Sequence, residues 1–176
     1  MNYETIRKYD VSNGEGVRTT IFCTGCEHYC KGCFNEDLWS FDSGKLFTLD
    51  TMNTLMNYLD NENIVGMNIL GGEPMHPKNI DVIEGIIKGA KRMYPNKTIW
   101  LWSGYKLEEL VERKDTKNIL ELIDVLVDGK FELENRDINL KYRGSSNQRV
   151  IDMNETRKQK KIVLMEEYNN EMYRTK

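Results

Sequence analysis

The chain predicts an α/β fold built on an open, mostly parallel sheet, a partial (β/α) barrel. Three observations carry this. Short apolar runs alternate with segments of helical periodicity, Gly-containing turns close several of the runs, and 176 residues supply too few βα units for a closed eight-stranded barrel.

Taken in order, Thr19 to Cys23 reads as the first strand and runs into a loop holding further cysteines. Thr48 is a plausible N-cap for a helix in which Met52, Leu55, Met56 and Leu59 recur at helical spacing. Val65 to Leu70 is a short buried strand ending at Gly71-Gly72. Ile80, Ile83, Ile86, Ile87 and Ala90 define the next helix, which Pro95 should close, and Thr98 to Trp102 is the next strand. Leu107, Leu110 and Val111 begin a helix, Ile119 to Ile123 belong to a second helical piece, and Asp124 to Val127 form a strand ended by Asp128-Gly129. Strands separated by helices imply βαβ units, whose functional groups gather at the carboxyl ends of the strands. From Asp152 the chain turns polar, with the basic run Arg157 to Lys161. The expected organisation is one domain over residues 1–151 and a charged tail or surface helix over 152–176.

A hydrophobic content of 39%, a charged content of 30% and a net charge of −3 describe a soluble globular chain with no global pull toward nucleic acid or membrane. No apolar run approaches the roughly 20 residues of a membrane span, and the N-terminus lacks an apolar signal core, so the chain is expected to be cytoplasmic. All four cysteines lie between positions 23 and 33, too close together to staple a secreted fold. Metal binding is their natural use.

Cys26, Cys30 and Cys33 have the spacing C-x3-C-x2-C. Three closely spaced thiolates suit a 4Fe-4S cube whose fourth iron stays open to a substrate. Buried thiols on one helix face are an alternative, but Gly25, Gly32 and the interleaved Glu27, His28 and Lys31 give no apolar stripe. Zinc is another, since Cys23-x2-Cys26 and Cys30-x2-Cys33 form two pairs. Against it, only three residues separate the pairs, where zinc sites usually have about a dozen or more. Cys23 is expected to be a core thiol rather than a fourth ligand. His28 is expected to be exposed, and His76 to hydrogen-bond a turn. Trp100 and Trp102 should pack on one side of their strand.

Gly71-Gly72-Glu73-Pro74 follows a predicted strand. Two glycines let main-chain groups approach a ligand closely, and Glu73 offers an acceptor for an ammonium group. The plainer reading is a strand-to-helix turn in which Pro74 and Pro77 start the next helix.

Together the three-Cys loop and the Gly-Gly-Glu turn resemble the radical S-adenosylmethionine superfamily. Asn13 to Arg18, Thr24 to Asn35, Trp102 to Tyr105, Val125 to Phe131 and Arg143 to Gln148 narrow the resemblance to the activating proteins of anaerobic ribonucleoside-triphosphate reductase. It spans residues 1 to about 151. The resemblance implies a radical S-adenosylmethionine domain in which Cys26, Cys30 and Cys33 hold one 4Fe-4S cluster and S-adenosyl-L-methionine binds at its open iron. Gly32, Cys33, Phe34, Gly71, Gly72, Glu73 and Ser103 are the implied cofactor-binding residues. Many superfamily members carry an aromatic residue just before the third cysteine. Here Gly32 stands there and Phe34 follows Cys33, so main-chain contacts from residues 32–34 are the expectation. The implied reaction is a glycyl-radical activase's: an electron from a reduced flavodoxin-like donor cleaves the cosubstrate, and a hydrogen leaves a glycine of the large reductase subunit. Activation of another glycyl-radical enzyme, a small-molecule radical S-adenosylmethionine reaction, and a zinc-stabilised module with a nucleic-acid-binding tail are the alternatives.

Overall fold

The computed structural model describes residues 1–169. The strands β1 (Asn2–Asp10), β2 (Arg18–Cys23), β3 (Lys45–Leu46), β4 (Gly66–Gly71), β5 (Thr98–Ser103), β6 (Val125–Asp128) and β7 (Arg149–Asp152) form one sheet in the order β3-β1-β2-β4-β5-β6-β7. Its centre is parallel: β2 (Arg18–Cys23), β4 (Gly66–Gly71), β5 (Thr98–Ser103) and β6 (Val125–Asp128) run side by side. These are the apolar runs read from the sequence. Each is buried nearly throughout, as expected when helices cover a parallel sheet.

The edges differ from expectation. β1 (Asn2–Asp10) precedes the strand expected to be first and pairs antiparallel with β2, with β3 (Lys45–Leu46) outside it. On the other side β7 (Arg149–Asp152) runs antiparallel to β6. The charged, mostly exposed face of β1 hides it from an apolar-run reading.

Helices α1 (Leu49–Leu59) and α2 (Ile80–Met93) carry the crossovers between the first parallel strands. The Thr48 hydroxyl caps α1 by accepting from the Thr51 amide, and α2 ends just before Pro95. Leu55, Met56 and Leu59 from α1 and Ile83, Ile86 and Ile87 from α2 meet the sheet's Ile21, Ile69 and Leu101 in the main core. Two short helices, α3 (Leu107–Val111) and α4 (Lys117–Leu122), complete the connection from β5 to β6.

Beyond residue 151, α5 (Met153–Gln159) starts with the Asp152 carboxylate accepting from the Glu155 amide, and buries Met153. Leu164 then bridges to Ile151, and α6 (Glu166–Asn169) brings Tyr168 against Trp100 and Tyr142. The last part of the region read as a tail, residues 170–176, lies outside the described residues. No helix among the described residues is long and apolar enough to cross a membrane.

A buried cation ties the strand starts together. Arg18 is 1% exposed. Its guanidinium donates to Asn68 Oδ1 at 2.6 Å, to Thr98 Oγ1 at 3.0 Å and to the carbonyls of Met67 and Thr98 at 3.0 and 2.9 Å, and it lies over the Trp100 ring. Burial lowers its pKa to about 10, which leaves it charged at neutral pH. Asn68 in turn donates to the Asn13 carbonyl at 2.5 Å, fixing the loop between β1 and β2.

Candidate functional site

The carboxyl ends of β2, β4 and β5 converge on one cavity of about 450 Å³. Cys26, Cys30 and Cys33 line it, together with Gly71, Gly72, Glu73, Phe34 and Ser103. Gly32 does not reach the cavity wall: its φ of +72° turns the loop, with Leu133 packed where a side chain would start. Segments far apart in sequence complete the wall, Asn13 from the β1–β2 loop and Gly144 and Gln148 from the β6–β7 loop.

The cysteine loop leaves β2 through Gly25, whose φ is +92° and whose missing Cβ would overlap the Phe41 ring. Main-chain bonds from Gly25 N to Leu38 O and Cys26 N to Trp39 O pin the loop's two ends together. The Asn35 amide donates to Cys33 Sγ at 3.4 Å. Burial pushes the Cys26 thiol up to about 11 and raises Cys30, so these sulfurs need a cationic partner to ionise. Cys23 differs. It is fully buried, does not line the cavity, and burial raises its thiol far above the ordinary value.

Three sulfurs on one concave wall fit the ligand set of a 4Fe-4S cube with one iron left open. Among the described residues no three His, Cys, Asp or Glu side chains converge on a single-ion position. A tetrahedral zinc site needs such convergence, whereas three thiolates that bind three different irons do not.

The Gly-Gly-Glu turn packs against the cysteine loop rather than standing open. A Cβ on Gly72 would meet Gly25 O at 2.6 Å, and one on Gly71 would meet Cys23 O at 2.4 Å. Gly72 N donates to Cys23 O, and Glu73 N to Gly25 O. The Glu73 carboxylate is 1% exposed and accepts four bonds, from Met75 N, Ser103 Oγ, Gly104 N and His28 Nε2, at 2.7–2.8 Å.

His28 therefore corrects one expectation. Its side chain is only 9% exposed, because Glu73 offers its ring a buried acceptor and Tyr105 an aromatic edge 4.6 Å away. His76 behaves as expected, its Nδ1 accepting from Lys78 N in the turn before α2. Trp100 and Trp102 share one face, and Trp102 also lines the cavity. Asn79 was missed. It sits at the N-cap position of α2 without capping it. Instead its amide donates to Thr24 O and Glu73 O at 2.9 and 3.0 Å, joining the two motifs.

Comparison with known proteins agrees with this geometry. Residues 12–151 match the family model of a 4Fe-4S single cluster domain. The chain is 45% identical over 150 residues to the anaerobic ribonucleoside-triphosphate reductase-activating protein of Haemophilus influenzae, covering 84% of this chain and 96% of that one. It is 39% identical over 150 residues to the protein of the same name from Enterobacteria phage T4, covering 85% and 93%. It is 41% identical over 152 residues to that of Escherichia coli strain K12, covering 85% and 97%.

Proposed function

The chain belongs to the family of anaerobic ribonucleoside-triphosphate reductase-activating proteins, and on that premise we propose that Cys26, Cys30 and Cys33 carry its 4Fe-4S cluster. It is an activating enzyme of the radical S-adenosylmethionine type, and the anaerobic reductase is its partner. The observation that carries the site assignment is the single cavity on which the three cysteines and the Gly71-Gly72-Glu73 turn meet.

The cluster, when bound, supplies the electron that breaks S-adenosyl-L-methionine. The protein's own residues do the rest. Main-chain groups of Cys33, Phe34 and the Gly71-Gly72-Glu73 turn border the cosubstrate, with the Glu73 side chain holding that turn in place. Ser103, at the end of β5, borders its nucleoside part. Aromatic walls from Phe22, Phe34, Trp102 and Phe131 exclude water around the reacting atoms. Cys30 and Cys33 are only half-buried, so a reduced flavodoxin-like donor can approach the cluster from their side. An iron-sulfur site on three cysteines, with no disulfide among the four described, fits a reducing, cytoplasmic setting. Residues 1–151 form the catalytic domain in this reading, and residues 152–169 pack onto its sheet.

Anaerobic reconstitution tests the site. The protein should hold about four irons with matching sulfide. Alanine at Cys26, Cys30 or Cys33 should abolish stable cluster and cosubstrate cleavage, while Cys23→Ala should keep both. An equal requirement for Cys23 would refute the three-ligand site.

A further inference from the structure

We propose that His28 is a positioning residue of the iron-sulfur centre, its ring clipping the loop between the first two cluster cysteines to Glu73 and to the end of β5. The proposal rests on the cluster assignment above. His28 lies between Cys26 and Cys30, and Nε2 donates to Glu73 Oε2 at 2.8 Å. The other three bonds to that carboxylate come from Met75 N, Ser103 Oγ and Gly104 N, so the clip joins the cysteine loop to the ends of both β4 and β5. Gly104 lies flush against the imidazole. A Cβ there would stand 2.3 Å from His28 Cδ2, and Tyr105 closes the ring's other side in edge contact.

The same residue stands between two cluster ligands, Cys26 two residues before it and Cys30 two residues after, so the placement of both sulfurs follows from where the ring is anchored. The position of the ligand sulfurs and the polar groups and solvent around them set a cluster's reduction potential. The Glu73 carboxylate, with four protein donors, spends its acceptor capacity on this clip. Its place in the Gly-Gly-Glu turn is thus architectural toward the cysteine loop as well as adjacent to the cosubstrate.

Three variants of the full chain test this. His28→Ala removes the ring's bond to Glu73. Gly104→Ala keeps His28 but drives a methyl group into its ring. His28→Gln keeps an N–H donor near the place of Nε2. Each is reconstituted anaerobically, its iron and sulfide are counted, and its cluster potential is measured by a redox titration followed by electron paramagnetic resonance. The expected result is a shifted potential, with an altered spectrum, in both His28→Ala and Gly104→Ala, and a return toward the wild-type potential in His28→Gln. A purely structural role would lower thermal stability or cluster content without moving the potential of the clusters that remain. Wild-type potential in both alanine variants overturns the proposal, as does a His28→Gln shift equal to that of His28→Ala. Should His28→Ala fail to hold a cluster, Gly104→Ala decides alone. A wild-type chain that assembles no cluster on Cys26, Cys30 and Cys33 instead overturns the reading beneath it.

Discussion

Gly72 stands against Gly25 so closely that a single added carbon would lie 2.6 Å from the Gly25 carbonyl oxygen. The turn after β4 and the cysteine loop after β2 are therefore one packed unit. The glycines of the second motif serve this contact as much as any approach of a ligand.

Gly72→Ala should accordingly disturb the cysteine loop. Overpacking backbone against backbone costs about 1–3 kcal/mol, and nothing flexible is present to yield. Urea unfolding of the metal-free protein should show that loss, and reconstituted protein should bind fewer irons. Gly72→Val should be worse on both counts. Wild-type iron content in Gly72→Val would show that the two motifs are not mechanically joined.

Arg18 is the most consequential buried side chain outside the cavity. Arg18→Ala leaves Asn68, Thr98 and two carbonyls without their donor, and should cost about 3 kcal/mol or more. Lysine at this position cannot reproduce the fork and should recover only part of that loss. Denaturant midpoints of the two variants check this. A change under about 0.5 kcal/mol in Arg18→Ala, within the range of ordinary surface substitutions, would contradict it.

Acid should loosen the contact between α3 and the sheet. Hydrogen bonds from Arg149, which also holds Asp128, lower the Glu108 carboxyl to about 2 from its ordinary 4.5. A carboxyl lowered on folding stabilises the native state fully above its unfolded pKa, and that contribution fades as pH falls through the folded value. Glu108 is half-exposed, so solvent screening limits the effect to at most about 1 kcal/mol. The stability difference between wild type and Glu108→Gln, measured on metal-free protein, should be constant above about pH 5 and vanish toward pH 2. A difference that grew on acidification would contradict the assignment.

The central strands and most helices are legible in the sequence because each buries an uninterrupted apolar run or stripe, as in β4 and α2. The antiparallel edges are not. β1 alternates charged residues with only shallow burial, and β7 has four residues. At the site, cysteine spacing and the Gly-Gly-Glu turn are legible because chain geometry dictates them locally. His28 is not, since a lone histidine between cysteines says nothing of a carboxylate 45 residues away. Asn79 carries no signal of its own in the sequence, and only the fold turns its amide toward the carbonyls of Thr24 and Glu73.

The cavity's proposed task is to deliver a radical to a glycine of the anaerobic reductase. Its most direct test mixes the reconstituted protein anaerobically with the large reductase subunit, S-adenosyl-L-methionine and a strong reductant, and records the electron paramagnetic resonance spectrum of the partner. The expected signal is a carbon-centred doublet that collapses toward a singlet when the partner's glycine Cα carries deuterium, with that deuterium recovered in 5'-deoxyadenosine. Cleavage of the cosubstrate with no radical on the reductase from the same source would contradict it.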